Sequence, residues 1–284
     1  MIENTSDLWL RQWLLYSLKL QLSNQNLWNE QLRRLSLVQP SQTLIIGISG
    51  AQGSGKSSLA KALQQLWATQ DVLSDVVSLD DYYLEPAKRF NRAQLWHPLF
   101  AERGVPGTHD TALLLSQLQA FKRGEAQVWQ RYDKGLDCIA RPSEKTKARL
   151  LILEGWCVGL QPQAEKALLS PINLLEQLQD TDALWRRKVN QQLATDYQQI
   201  WQESDSLIWL NAPDWKAVCR WRAWQELPLQ QRGLGKSPDE LEHFMLYFER
   251  LTCESWRQLP DLADFMLTLD QDQDHKLLSL TPDE

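Results

Sequence analysis

Apolar residues recur along the chain in two rhythms. Over residues 1–39, Leu10, Trp13, Leu14, Leu18 and Leu22 return every three or four positions, with Ser17 in the same register. That spacing predicts an amphipathic helix capped by Ser6 or Asp7, then a second helix over 25–35 after an interruption at Asn24. Pro40 and Ser41 end this region. Thereafter short β-branched runs predict buried strands: TLIIGIS, DVVSL at 75–79, ARLLILEG, SLIWLNAP and ADFMLTLD. Helical patterns separate them at 57–69, at 111–123 with Asp110 as its cap, through most of 171–204, and at 215–226 and 238–259. Residues 82–109 mix Pro, Arg, His and aromatics without a period and predict a long loop with short helical pieces. Residues 129–142 read as irregular or as a hairpin, and the tail from Gln271 as frayed. Strands alternating with helices imply an α/β fold, its mostly parallel sheet covered on both faces. The expected division is a helical extension over 1–39 and one domain over 40–284.

Composition narrows the picture. The chain has 284 residues, 43% of them hydrophobic and 23% charged, and a net charge of −6. This describes a soluble globular protein and disfavours broad capture of nucleic acid or anionic membrane. No apolar run reaches the roughly 18–20 residues of a membrane span, and the N-terminus lacks a secretory pattern. The four cysteines are far apart with no C-x-x-C pair, which reads as reduced thiols in a cytoplasmic protein. The fourteen tryptophans are scattered and suggest packing.

Between the first predicted strand and helix, Gly50 to Ser57 reads G-A-Q-G-S-G-K-S, a complete G-x-x-x-x-G-K-[ST] phosphate loop (the Walker A pattern). Gly50, Ala51, Gln52, Gly53, Ser54 and Gly55 let backbone N–H groups converge on phosphate oxygens, in front of the positive end of a helix dipole. Lys56 reaches the terminal phosphates, Ser57 offers a hydroxyl to Mg²⁺, and Ser58 extends the hydrogen bonding. A Gly-rich turn without a ligand is the plainer alternative. The fold expected is therefore a three-layer α/β/α P-loop NTPase. An N-K-x-D guanine motif and the L-S-G-G-Q signature are both missing, and LILEGW holds one glutamate and no D-E pair. GTPase, transporter and helicase readings are thereby weakened, leaving an ATP-dependent small-molecule kinase.

Such an enzyme needs a base, a second carboxylate for metal, an acceptor pocket and cations over the phosphates. Asp80, where the second strand runs out, is the candidate base; Asp81 next to it would point away. Glu154 ends the most apolar strand and suits Mg²⁺ organisation. Arg220 and Arg222 lie two residues apart on a helix and cannot share a face; one could cover the phosphates. The polar segments RGVPGTHD and RYDKG supply Arg103, Thr108, His109, Asp110, Arg131, Tyr132, Asp133 and Lys134 for an anionic or polyhydroxylated acceptor, with Tyr82 nearby.

The ordered blocks GISGAQGSGKSS, VSLDDYYL, RGVPGTHD, RYDKG and LILEGW resemble the P-loop kinases related to uridine kinase, phosphoribulokinase and bacterial pantothenate kinase. Within that group they are most similar to the plant-type D-glycerate 3-kinases and their bacterial relatives, and the similarity covers most of the chain after about residue 40. The resemblance implies transfer of the ATP γ-phosphate to the 3-hydroxyl of D-glycerate. It assigns Lys56 and Ser57 to nucleotide and Mg²⁺, Asp80 to the catalytic aspartate, and Glu154 to the third-strand carboxylate. Tyr132 and Asp133 match the Y-D element of the acceptor site, and Arg220 or Arg222 falls in the lid. Other acceptors (a nucleoside, pantothenate or another sugar acid), a non-catalytic ATP-binding module, and a nucleic-acid-directed ATPase are the competing readings. Oligomeric state is not legible.

Overall fold

A computed structural model describes residues 43–279, apart from 70, 232, 234, 273 and 274. The expected helical extension over 1–39 lies outside the described residues. The first strand, β1 (Leu44–Gly50), is buried along its whole length. It lies between β5 (Leu150–Gly155) and β6 (Ser206–Asn211), pairing parallel with both. With β2 (Ser74–Ser78), β7 (Phe265–Leu269) and β8 (His275–Ser279) the order is β2-β5-β1-β6-β7-β8. Within this sheet, among the described residues, only β8 runs antiparallel, against β7.

A strand buried on both faces shows no apolar alternation in its sequence, but its side chains still alternate in space. Ile45 joins one core with Leu151 and Leu153, while Ile46 and Ile48 join another with Ile152 and Ile208. The second core is covered by α1 (Lys56–Ala68), through Leu59, Leu63 and Trp67, and by Val218 and Trp221 of α7 (Trp215–Gln230). The first core is covered from α3 (Thr111–Lys122), from α5 (Leu184–Gln192) with the turn after it, and from α8 (Pro238–Leu262). Trp67, Trp129, Trp209 and Trp221 are fully buried, so tryptophan serves here as core volume.

Asp110 caps α3 as expected, its Oδ1 accepting from the Leu113 N–H at 3.1 Å. Residues 129–142 contain a hairpin, β3 (Tyr132–Asp133) with β4 (Cys138–Ile139). Other expectations need correction. Residues 82–109 hold a full helix, α2 (Pro86–Leu95), whose buried side chains are Arg89 and Ala93. A helix that buries an arginine has no apolar stripe to betray it. The tail does not fray at Gln271, since β8 follows. Helix α7 runs on through Pro228 to Gln230, and α8 through Pro260 to Leu262. The stretch 171–204 contains α4 (Leu174–Gln179), α5 and α6 (Gln198–Trp201), the last two joined by a π-helical turn over Leu193–Tyr197. No helix among the described residues is long and apolar enough to cross a membrane.

Candidate active site

The parallel register brings the carboxyl ends of β1, β2 and β5 to one edge, where Ile48 pairs with Glu154 and Ser78 with Glu154 from the other side. Ligands of open α/β sheets gather beyond this edge. A cavity of about 350 Å³ opens there.

Its floor is the phosphate loop, through Gln52, Gly53, Gly55, Lys56, Ser57 and Ser58. Gly55 is the N-cap of α1 at φ 88° and has no side chain to cap the first turn. The helix therefore presents its opening N–H groups to whatever lies in front of it. Gly50 is required for packing, since a Cβ there would lie 2.7 Å from Ser54 Oγ and 3.0 Å from Leu210 Cβ. Ala51 is buried, and its carbonyl accepts from Lys56 Nζ at 2.9 Å, folding the lysine back over the loop. Burial lowers the pKa of this ammonium, against the opposing pull of Glu154 and Asp80. Ser54 Oγ and Gln52 Oε1 are buried without a protein partner. The Ser54 hydroxyl can donate to an anionic ligand at the dipole end, whereas Gln52 Oε1 can only accept. Ser57 Oγ donates to Glu154 Oε1 at 3.0 Å. Hydroxyl and carboxylate together form the hard oxygen donor set that Mg²⁺ takes.

Asp80 stands on the cavity wall in a single 3₁₀ turn, Leu79–Tyr82, immediately after β2. The turn is capped by Ser78, whose side chain accepts from the Asp80 N–H, and by Asp81, which accepts from the Ser78 N–H. Gly155 lets this turn press against β5, because a Cβ on it would lie 2.9 Å from Leu79 Cβ. Asp80 Oδ1 accepts from the Tyr83 hydroxyl at 2.8 Å, and Oδ2 from Lys134 Nζ at 2.6 Å. Burial pushes the Asp80 carboxyl up, but the charge and hydrogen bond of Lys134, with the Tyr83 hydroxyl, outweigh it and hold the group ionised well below the usual carboxylate range. The charge of Asp80 raises the pKa of Lys134 against the effect of burial. The Tyr83 ring stacks on His109 with centroids 4.6 Å apart. Burial drives His109 down to about 3, so the ring is neutral, and its Nδ1 lies 2.6 Å from the Tyr197 hydroxyl.

Arg103 and Lys134 line the cavity with Asp80, and Arg222, Gln225, Glu226, Phe244 and Phe248 complete its lining. Arg222 forms a 2.5 Å ion pair with Glu226 one turn on. Arg220, read beside it as a lid residue, is not at the cavity; it reaches Gln271 and packs over the Trp224 ring. Two positions along a helix are about 200° apart, so one arginine facing the cavity turns the other away.

Several expected acceptor residues also lie away from the cavity lining. Tyr82 is buried and donates to Gln117 Oε1, and Thr108 is spent within its own turn. His109 supports Tyr83 from behind, and Asp110 caps α3. Arg131 pairs with Asp81 at 2.7 Å. Tyr132 donates to Asp137, and Asp133 accepts from the Gly135 and Leu136 amides of the hairpin turn. These residues build the wall that carries Asp80, Arg103 and Lys134. Sequence reasoning missed Tyr83, although it sits in the same DDYY block; a one-residue choice in a 3₁₀ turn decides which tyrosine meets the aspartate. Phe244 and Phe248 come from a helix more than 160 residues downstream of Asp80 and carry no local signal. Away from this edge His97, Asp180 and Asp182 converge, but Asp180 already accepts from Arg186 at 2.8 Å and from the Trp185 amide at 2.7 Å.

No family model matches the chain. The chain is 34% identical over 220 residues to the uncharacterized kinase mug58 of Schizosaccharomyces pombe, covering 72% of this chain and 78% of that one. It is 28% identical over 217 residues to the chloroplastic D-glycerate 3-kinase of Arabidopsis thaliana, an alignment that takes in 71% of this chain but 45% of the plant protein. A D-glycerate 3-kinase structure from Cryptococcus neoformans superposes with a TM-score of 0.70 at 21% identity, over 95% of this chain and 99% of that chain; at this identity the likeness is one of fold. The phosphate loop at the sheet edge and these relatives together place the chain: it belongs to the P-loop kinases, which use ATP as phosphate donor.

Proposed function

We propose that this kinase phosphorylates the 3-hydroxyl of D-glycerate, with Mg²⁺ bound beside the nucleotide, in the cytoplasm. The observation that carries the reading is a half-buried carboxylate, Asp80, set with two cations, Lys134 and Arg103, in the same cavity as Lys56 and Ser57. A small hydroxy acid has the matching groups, a hydroxyl for the carboxylate and an acid group for the cations.

The chemistry follows from the side chains. Asp80 accepts the proton of the acceptor hydroxyl as its oxygen bonds to the γ-phosphorus. The bond from that phosphorus to the β,γ-bridging oxygen breaks, and ADP leaves with the electron pair. Lys56 and Arg222 neutralise charge on the transferring group. Ser57 and Glu154 are the residues suited to hold Mg²⁺, which when bound screens the phosphate oxygens. Asp80 is ionised at physiological pH, so its oxygens can accept a hydrogen bond from the acceptor hydroxyl and orient it.

A coupled ADP-release assay with D-glycerate, uridine and pantothenate in parallel tests the acceptor. Release that depends on D-glycerate, with 3-phosphoglycerate recovered, is expected. Dependence on either other acceptor would overturn the glycerate reading, and dependence on none would overturn the small-molecule reading. Asp80→Asn is expected to lower kcat by about 10²–10⁴, the range for loss of a general base, with nucleotide affinity retained.

A further inference from the structure

The two oxygens of Asp80 are held very differently. Oδ1 is bound by Tyr83, which is 5% exposed, stacked on His109 and edge-on to Tyr132. Its backbone is also bridged to His109, so this partner has no room to leave. Oδ2 is bound by Lys134, whose side chain is 56% exposed. Lys134 sits at the tip of the β3–β4 hairpin, and the backbone of that tip is pinned twice. Asp133 Oδ1 accepts from the Gly135 and Leu136 amides, and Arg103 Nη2 donates to the Lys134 carbonyl at 2.7 Å. A fixed backbone bearing a long, exposed, rotatable ammonium is a tethered point charge.

The Lys134 ammonium takes an acceptor site on Oδ2, the oxygen not held by the immobile Tyr83 hydroxyl and so the one an acceptor hydroxyl reaches by displacing a movable donor. Displacing it with a neutral hydroxyl alone would cost the ammonium its 2.6 Å ion pair with nothing in exchange. An acceptor that brings its own acid group offers Lys134 a new anion within a side-chain swing. We propose that Lys134 is an exchangeable cover on the catalytic base: it occupies Asp80 Oδ2 in the resting enzyme and transfers to the carboxylate of the incoming hydroxy acid, so that the base is uncovered only when an anionic acceptor is bound. Tyr83 is the positioning residue that keeps Asp80 aimed during the exchange. The inference rests on the hydroxy-acid reading above. It adds an account of selectivity against neutral alcohols and against water.

Lys134→Met removes the cover and the acid anchor together while keeping most of the stem. A charge-assisted hydrogen bond is worth about 1.5–3 kcal/mol, so KM for D-glycerate is expected to rise about 10–100-fold. Acceptor-independent ATP hydrolysis is expected to rise several-fold in the same variant, because water then finds Asp80 uncovered. Lys134→Arg, which keeps the charge, is expected to show a smaller rise in hydrolysis than Lys134→Met and to recover part of the KM. Loss of structure cannot raise hydrolysis, and nucleotide affinity measured alongside reports on the fold. Hydrolysis that stays at or below wild type in Lys134→Met, or a fall in kcat with KM unchanged, would overturn the proposal. Failure of wild type to use D-glycerate would instead overturn the acceptor reading, and the hydrolysis comparison would still test the cover.

Discussion

Gly53 is one of the variable positions of the phosphate-loop pattern, yet its surroundings forbid a side chain. It adopts φ +78°, and a Cβ built on it would lie 2.6 Å from Trp221 Cβ, 3.0 Å from the Trp221 carbonyl carbon and 3.2 Å from Arg222 N. Trp221 is fully buried in the core under α7, so neither it nor the backbone can yield. Gly53→Ala thus meets two penalties. The left-handed backbone costs about 1–2 kcal/mol for alanine, and overpacking against an immobile neighbour about 1–3 kcal/mol. The total, about 2–5 kcal/mol, corresponds to a fall of about 3–8 °C in Tm for a chain of this size. Gly55→Ala is the internal control: φ is +88° there, but no atom lies within 4 Å of the added Cβ, which leaves the backbone term alone. Thermal melts of both variants, with ATP affinity by calorimetry, separate the terms. Gly53→Ala is expected to melt well below Gly55→Ala. If the loop shifts to relieve the clash, ATP affinity falls in place of part of the Tm. A Gly53→Ala protein that melts as high as Gly55→Ala and binds ATP as tightly as wild type would refute the packing argument.

Two further outcomes test the site and its support. Arg222→Ala is expected to lower kcat about 100-fold or more by removing a cation near the transferring phosphoryl group, whereas Arg220→Ala leaves kcat within about twofold of wild type; equal losses in steady-state assays would contradict the placement on α7. Asp137, at φ +52°, pairs with Arg89 at 2.6 Å and with Arg103 at 2.5 Å and accepts from Tyr132. Burial raises its pKa, but those partners prevail and bring it to about 2. A depressed carboxylate contributes stability that is present above its ordinary value near 4 and is lost as pH falls toward 2. Asp137→Asn, which tolerates the same backbone, is therefore expected to lose about 1–2 kcal/mol at pH 7 after allowance for solvent screening. The gap from wild type should close in urea titrations taken from pH 5 down to pH 2; a constant gap would mean that the charge is not responsible.

The elements that the sequence revealed are those whose burial is apolar and periodic. TLIIGIS, LLILEG and SLIWLN read as strands because each is covered on both faces, and α1 and α3 read as helices because each buries one stripe. Elements held by polar burial stayed hidden. Helix α2 turns Arg89 inward to Leu84, Tyr132 and Asp137, so its pattern is that of a loop. Strand β8 joins an edge, where one neighbour suffices and no long apolar run is needed.

By itself the sequence determined the chemistry of the phosphate end. Gly50 to Ser57 is a contiguous loop whose function lies in its own backbone and in the helix directly after it, and such local geometry is written in adjacent residues. The proposed acceptor end was decided by tertiary structure. Asp80, Lys134, Arg103 and Phe248 come from four segments that meet only when β2, the hairpin and α8 converge on one sheet edge. Which of two tyrosines supports the base, and which of two arginines faces the cavity, depends on a single 3₁₀ turn and on the rotation of one helix. Those choices are set by packing against distant residues, and composition and spacing carry no record of them.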